Sequence, residues 1–124
     1  MGLDMYAYKT RRRLAEAGDF GLDDTFEEFH YWRKHPNLHG WMQKLYLEKG
    51  GENEKFNMSA VQLTAADLDR LEAAVLSGKL PHTSGFFFGR STGDKEERDD
   101  DLLFIRKARK AIAKGFSVIY LAWW

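Results

Sequence analysis

Apolar and polar positions follow a period of two at the start of the chain and lose it at the end. From Leu3 to Tyr8, apolar residues alternate with aspartate or tyrosine, which is typical of a strand with one apolar face. Phe116 to Trp124 is apolar at nearly every position, which predicts a strand that is buried on both faces and central in a sheet. Two shorter segments, Lys55 to Leu63 and Thr83 to Gly89, are also predicted to be strands.

Three segments instead space their apolar residues by three and four, as helices do. The first helix is predicted to begin near Pro36, because proline suits the first turn of a helix. The second has a capping-box pattern, Thr64 with Asp67, and Gly78 at its end. The third follows the acidic residues 99–101 and carries basic residues in its later turns, which complements the helix dipole.

Four strands and three helices in 124 residues predict a single domain, residues 1–124, of the α+β class. We expect a four-stranded mixed sheet with three helices packed on it, because the second and third strands are too short and polar for a doubly wound core. Residues 14–25 are predicted to be a long loop, and the loop after the third strand is expected to run from Gly89 to Glu97.

Bulk composition excludes several classes of protein. Basic and acidic residues number 19 each, so the chain has no overall field for a polyanion or an anionic membrane, and general nucleic-acid binding is not expected. There is no cysteine, which removes disulfides, thiol nucleophiles and thiolate metal sites. No segment approaches the roughly 18 apolar residues of a membrane span and no signal-peptide pattern opens the chain, which favours a soluble intracellular protein.

The segment from Glu27 to Met42 is the densest in side chains that stack, donate hydrogen bonds or carry charge. It holds three of the four histidines and two of the four tryptophans. Tyr31, Trp32, Arg33 and Lys34 combine two rings with two cations, the residue types that bind stacked ligands or anchor interfaces. The alternative interpretation is that Trp32 belongs to the core and the two cations are solvated.

We predict a ligand-binding surface that adds His39, on a flank of the first helix, and the loop from Phe86 to Arg90, with Phe87 and Arg90 in contact with the ligand. No metal or other cofactor is expected, although His35 and His39 have a spacing that can present two imidazoles together. There is no Gly-x-Ser-x-Gly elbow and no thiol. His39 is the best-placed acid or base, so the alternative function is a small enzyme that acts on a phosphorylated substrate through His39 and Arg33.

Charged runs elsewhere have structural interpretations. Arg11 to Arg13 is typical of a solvated strand end. Gly89 to Gly93 has the composition of a phosphate-binding loop, but the acidic residues that follow would repel a bare phosphate. The acidic segment from Asp94 to Asp101 could bind a basic partner or be a solvated face.

Four segments together carry a distinctive set of motifs: Met1 to Tyr6, Tyr31 to Met42, Ser84 to Gly89 and the closing aromatic strand. As a set they resemble a family of small uncharacterised proteins that is common in bacteriophages and prophages. The resemblance implies a phage accessory protein in the cytoplasm of a bacterial host, of the kind that inhibits a host-defence factor or sequesters a small signal. The expected function is therefore non-catalytic binding of a host protein or of an anionic aromatic small molecule such as a nucleotide; self-association into a homo-oligomer is left open.

Overall fold

The structure is a computed structural model that describes residues 2–14, 18, 20–85 and 87–124. Phe86 of the predicted surface and residues 15–17 and 19 of the predicted loop lie outside the described residues. The elements in chain order are β1 (Asp4–Thr10), β2 (Glu27–Arg33), α1 (Pro36–Glu48), β3 (Val61–Leu63), α2 (Ala65–Ser77), α3 (Lys95–Ala113) and β4 (Ser117–Trp123).

The four strands form one sheet in the order β2-β1-β4-β3. The prediction of an α+β domain with four strands and three helices is confirmed, as is the interior position of β4. The expected mixed sheet is wrong, because every neighbouring pair of strands is antiparallel. β2 and β4 lie on either side of β1 and both run antiparallel to it. A parallel pair would need a crossover connection, and none of these neighbours requires one.

Two predicted strands are shortened or absent because the backbone bends in them. In the segment from Lys55 to Leu63, Phe56 and Met58 have positive φ angles of 48° and 58°, so only Val61–Leu63 pairs with β4. The segment from Thr83 to Gly89 contains no strand among its described residues. Phe87 and Phe88 lie in a turn closed by a 3.1 Å hydrogen bond from Phe88 N–H to the Gly85 carbonyl.

β2 is the strand that the sequence did not predict. Its inward residues are His30 and Trp32, and its outward residues are Tyr31 and Arg33. The alternation therefore places rings and charges on both faces, without the apolar and polar contrast that marks β1.

The three helices cover one face of the sheet and form the main core with it. α1 begins at Pro36 as predicted, and α2 has both hydrogen bonds of the predicted capping box between Thr64 and Asp67. A second, smaller core of Phe26, Ala60 and Ile119 covers part of the opposite face. Beyond that core, Tyr31 and Trp123 on the same face are 45% and 46% exposed.

Candidate functional site

Trp32 lies in the core and cannot contact a ligand, which corrects its place in the predicted surface. The residue is 5% exposed, and its ring centre is 4.7 Å from that of Phe104 in α3. Its indole Nε1–H donates a 3.2 Å hydrogen bond to Oδ1 of Asp101, which is also buried. The strand alternation turns Trp32 inward, and Asp101 satisfies the only polar atom of its side chain.

His39 is also buried, at 1% exposure, so it contacts no external substrate as an acid or base. The rings of Phe56, Phe88 and Trp124 lie around it, each with its centre within 5.3 Å of the imidazole centre. Nδ1 is 2.7 Å from the hydroxyl of Tyr120. Burial lowers the pKa of His39 to about 4, so the imidazole is neutral at pH 7 and its Nδ1 shares one hydrogen bond with the Tyr120 hydroxyl.

Tyr31 and Arg33, by contrast, lie on the outer face of the sheet, and one carboxylate holds both. Tyr31 is 45% exposed. Its hydroxyl donates a 2.6 Å hydrogen bond to Oδ1 of Asp4, and Nη1 of Arg33 donates to the same oxygen at 2.8 Å. The hydrogen bond from Tyr31, with the hydrogen bond and the positive charge of Arg33, holds the pKa of the Asp4 carboxyl below its usual range. The two side chains are therefore oriented in advance of any binding.

Strand register extends this pair into a larger surface. Arg33, Asp4 and Trp123 are neighbours in one row across β2, β1 and β4, and Tyr31, Tyr6 and Leu121 are neighbours in the next row. The rings of Tyr6 and Tyr31 have centres 5.2 Å apart, and Trp123 is 46% exposed. We call this surface the open face; it consists of Asp4, Tyr6, Tyr31, Arg33, Leu121 and Trp123.

Lys34, Phe87 and Arg90 lie beside the open face, beyond the end of β2. Lys34 N–H donates to the Leu3 carbonyl at 2.8 Å, and Leu3 N–H donates to the Phe87 carbonyl at 3.1 Å, so the loop is tied to the start of β1. A Cβ added to Gly89 would lie 3.0 Å from the side chain of Lys34. The exposed Lys34 therefore lies near the end of the open face, whereas Phe87 is half-buried and Arg90 is an exposed residue of the loop after Gly89.

A second polar arrangement joins His35, Asp101 and Ser91. His35 and Asp101 are buried, with Nε2 of His35 2.9 Å from Oδ2 of Asp101. Nδ1 of His35 is 2.7 Å from Oγ of Ser91. Burial raises the pKa of Asp101, and its hydrogen bond with His35 opposes that rise. The result is a Ser–His–Asp chain that resembles the relay of serine hydrolases.

Ser91 also has a structural role in this chain. Its Oγ accepts a 3.0 Å hydrogen bond from Asn37 N–H, in the first turn of α1, where the helix receives no side-chain cap from its own N-cap residue. The next two N–H groups in the loop, those of Thr92 and Gly93, donate to the carboxylate of Glu97 at 2.9 and 3.0 Å. The predicted loop ended at Glu97, whereas α3 begins at Lys95. Glu97 therefore lies in the first turn of α3, where its carboxylate can accept these two hydrogen bonds.

The three histidines of the densest segment have separate partners: His30 bonds Asp100, His35 bonds Asp101 and His39 bonds Tyr120. In the part of the chain that the structure describes, no three metal-ligating side chains come together to hold an ion.

Comparisons with known proteins add no family to this geometry. No family model matches the chain, and neither curated proteins nor solved structures give a match. Among the described helices, none combines the length and apolar character needed to cross a membrane.

Proposed function

We propose that the chain is a non-catalytic accessory binding protein of the phage type, and that it recognises a protein of the bacterial host through the open face. The observation that carries the proposal is the exposure of Tyr31 on β2 and Trp123 on β4, which lie on either side of Tyr6 in β1, with Arg33 beside Tyr31 on the same strand. Tyrosine, tryptophan and arginine dominate the binding energy of protein interfaces. The set of motifs that resembles phage proteins supports the same class.

A protein partner suits this surface better than a small molecule does. The rings lie on the flat outer side of a sheet, whereas small-molecule sites are concave. Arg33 is paired with Asp4, which reduces the charge that the surface offers to an anion. Because the same carboxylate also fixes Tyr31, a partner would meet side chains that lose little conformational freedom on binding.

Site-specific photocrosslinking tests the proposal. A photoreactive phenylalanine at position 31 or 123, in protein expressed in a bacterial host, should give one host protein as an adduct. The matched control is position 76 in α2, where Leu76 is 58% exposed in the helical layer. The proposal is wrong if position 76 yields the same adduct, if positions 31 and 123 yield none, or if the adduct is a second copy of this chain.

The Ser91–His35–Asp101 chain makes a serine hydrolase the second candidate. It ranks below binding because Ser91 already caps α1 and because Glu97 occupies the two neighbouring N–H groups that could stabilise an oxyanion. The enzyme that the sequence suggested, acting through His39 and Arg33, has no support in the geometry because His39 is sealed in the core. A fluorophosphonate probe that labels the native chain, but not Ser91→Ala, would favour the hydrolase over the binding protein.

A further inference from the structure

Two basic segments that are distant in sequence meet at the end of the molecule where β1 ends and α3 ends. Two cavities of about 230 and 560 Å³ adjoin there and share Lys9 and Phe116. We call them together the basic groove. Its charged lining consists of Lys9, Arg11, Arg12, Lys107, Lys110, Lys114 and Glu27.

The charge of the groove is strongly one-sided although the whole chain is neutral. Six cations and one carboxylate line it. Arg12 forms an ion pair with Asp23. For the other five cations, no ion pair with a carboxylate occurs within the described residues. The groove therefore keeps a net positive field in a concave, partly apolar wall, the setting that concentrates anions.

Several of these cations are held in place. The Lys9 ammonium and the Arg11 guanidinium lie 4.9 and 4.2 Å from the centre of the Phe116 ring. Nη1 of Arg11 donates to the Lys114 carbonyl at 3.3 Å. Nζ of Lys107 donates to the Phe29 carbonyl at 2.8 Å.

The helix dipole does not account for the whole group. It explains why Lys110 and Lys114 are favourable near the end of α3. It does not extend to Lys9 and Arg11, which come from β1 and the residues after it; Glu27, the register partner of Lys9 on β2, is the one carboxylate in the lining. Like charges brought together repel, and an anion bound among them would offset that repulsion.

We propose that the basic groove binds a small molecule that carries two or more phosphate groups. Lysine and arginine are the side chains that bind phosphate oxygens, arginine through a planar fork and lysine as a point charge. The larger of the two cavities, at about 560 Å³, has the volume of a small-molecule site. A long polyanion fits less well, because the other surfaces of a neutral chain with 19 acidic residues would repel it. This site is separate from the open face and does not depend on the proposed function.

Isothermal titration of the full chain with inorganic tripolyphosphate and with ATP tests the groove. Lys110→Gln/Lys114→Gln should weaken tripolyphosphate binding by at least about tenfold, because two charge-assisted contacts are lost. Lys9→Gln, on the opposite wall, should weaken it as well. The matched control is Lys95→Gln/Arg98→Gln, which removes the same charge from the same helix at exposed positions, about 18 to 23 Å along the axis from Lys110. Screening at physiological salt should keep the control within about twofold of wild type.

Four outcomes would overturn the proposal. The first is no measurable binding of either ligand at millimolar concentration. The second is an equal loss of affinity in the control double variant, which would indicate a general charge effect. The third is an unchanged affinity in Lys9→Gln, since the groove needs both walls. The fourth is an oligonucleotide that binds more tightly than tripolyphosphate and gains affinity with length, which would indicate nucleic acid as the ligand. Thermal melts of each variant at the assay buffer ensure that affinities are compared between folded proteins.

Discussion

Buried His39 should make the stability of this protein depend on pH in a calculable way. Burial lowers its folded pKa from the ordinary value of 6.5 to about 4. Between these values the unfolded chain takes up a proton at His39 that the folded chain does not, so the free energy of unfolding falls as the pH drops from 6.5 to 4. Each pKa unit is worth about 1.4 kcal/mol, so His39 alone should remove about 3 kcal/mol over this range. Above pH 6.5 the stability associated with neutral His39 is fully present.

His39→Gln isolates this effect from that of other titrating groups. The glutamine amide, which has both a donor and an acceptor, can keep a hydrogen bond with the Tyr120 hydroxyl in place of the one at Nδ1, but the amide does not titrate. Losing the ring contacts with Phe56, Phe88 and Trp124 should lower stability at every pH by a constant amount. Urea denaturation at several pH values between 7.5 and 4 should show the wild type losing about 3 kcal/mol more than the variant. Parallel curves for the two proteins would refute the assignment of His39 as a neutral core residue.

Three further changes test the packing that positions the site. Asp101→Asn turns an amide N–H toward either Trp32 or His35, both of which donate to the native carboxylate. The free energy of unfolding in urea should fall by about 2 to 4 kcal/mol; a loss under about 0.5 kcal/mol would contradict these hydrogen bonds. Gly40→Ala places a Cβ 1.9 Å from Oγ1 of Thr83, and should lower the free energy of unfolding by about 1 to 3 kcal/mol, seen as a lower melting temperature. An unchanged melting temperature would show that α1 does not touch Thr83. Thr64→Ala removes the hydroxyl of the capping box and should cost about 1 kcal/mol in urea denaturation; no change would mean that the cap is absent in solution.

The helices could be predicted from the sequence because their signals are local. Thr64 and Asp67 are three residues apart, and Pro36 marks the start of α1 by its own covalent geometry. β2 could not be predicted in the same way. Its inward residues His30 and Trp32 carry polar atoms, and their burial depends on Asp100 and Asp101, which lie about seventy residues later in the chain. The sequence signal for β2 was a regular alternation of side chains along the strand, and this was not an alternation of apolar with polar residues.

The candidate site was predictable only in part for the same reason. Tyr31 and Arg33 face outward, as a binding surface requires. His39 is covered by rings from three separate segments, so its burial is a property of the tertiary fold. Tyr6 and Trp123 join the surface through strand register; the polar side of the β1 alternation was the one signal that could have indicated Tyr6.

The basic groove could not be predicted from the amino-acid composition. Equal numbers of acidic and basic residues argued against an overall field that could hold a polyanion, and the run from Arg11 to Arg13 was interpreted as a solvated strand end. Net charge says nothing about how charges are distributed after folding. β1 and β4 are adjacent in the sheet, and this places Lys9 and Arg11 beside the end of α3.

The central claim is that the rings of the open face bind a host protein while Trp32 and His39 serve only the core. The most direct measurement is the dissociation constant of the crosslinked host protein, once purified, for the wild type and for Tyr31→Ala, Trp123→Ala and Leu76→Ala. The account predicts that the first two variants weaken binding by at least about tenfold with melting temperatures close to that of the wild type, and that Leu76→Ala binds as the wild type does. Unchanged affinity in Tyr31→Ala and Trp123→Ala, or an equal loss in Leu76→Ala, would contradict it.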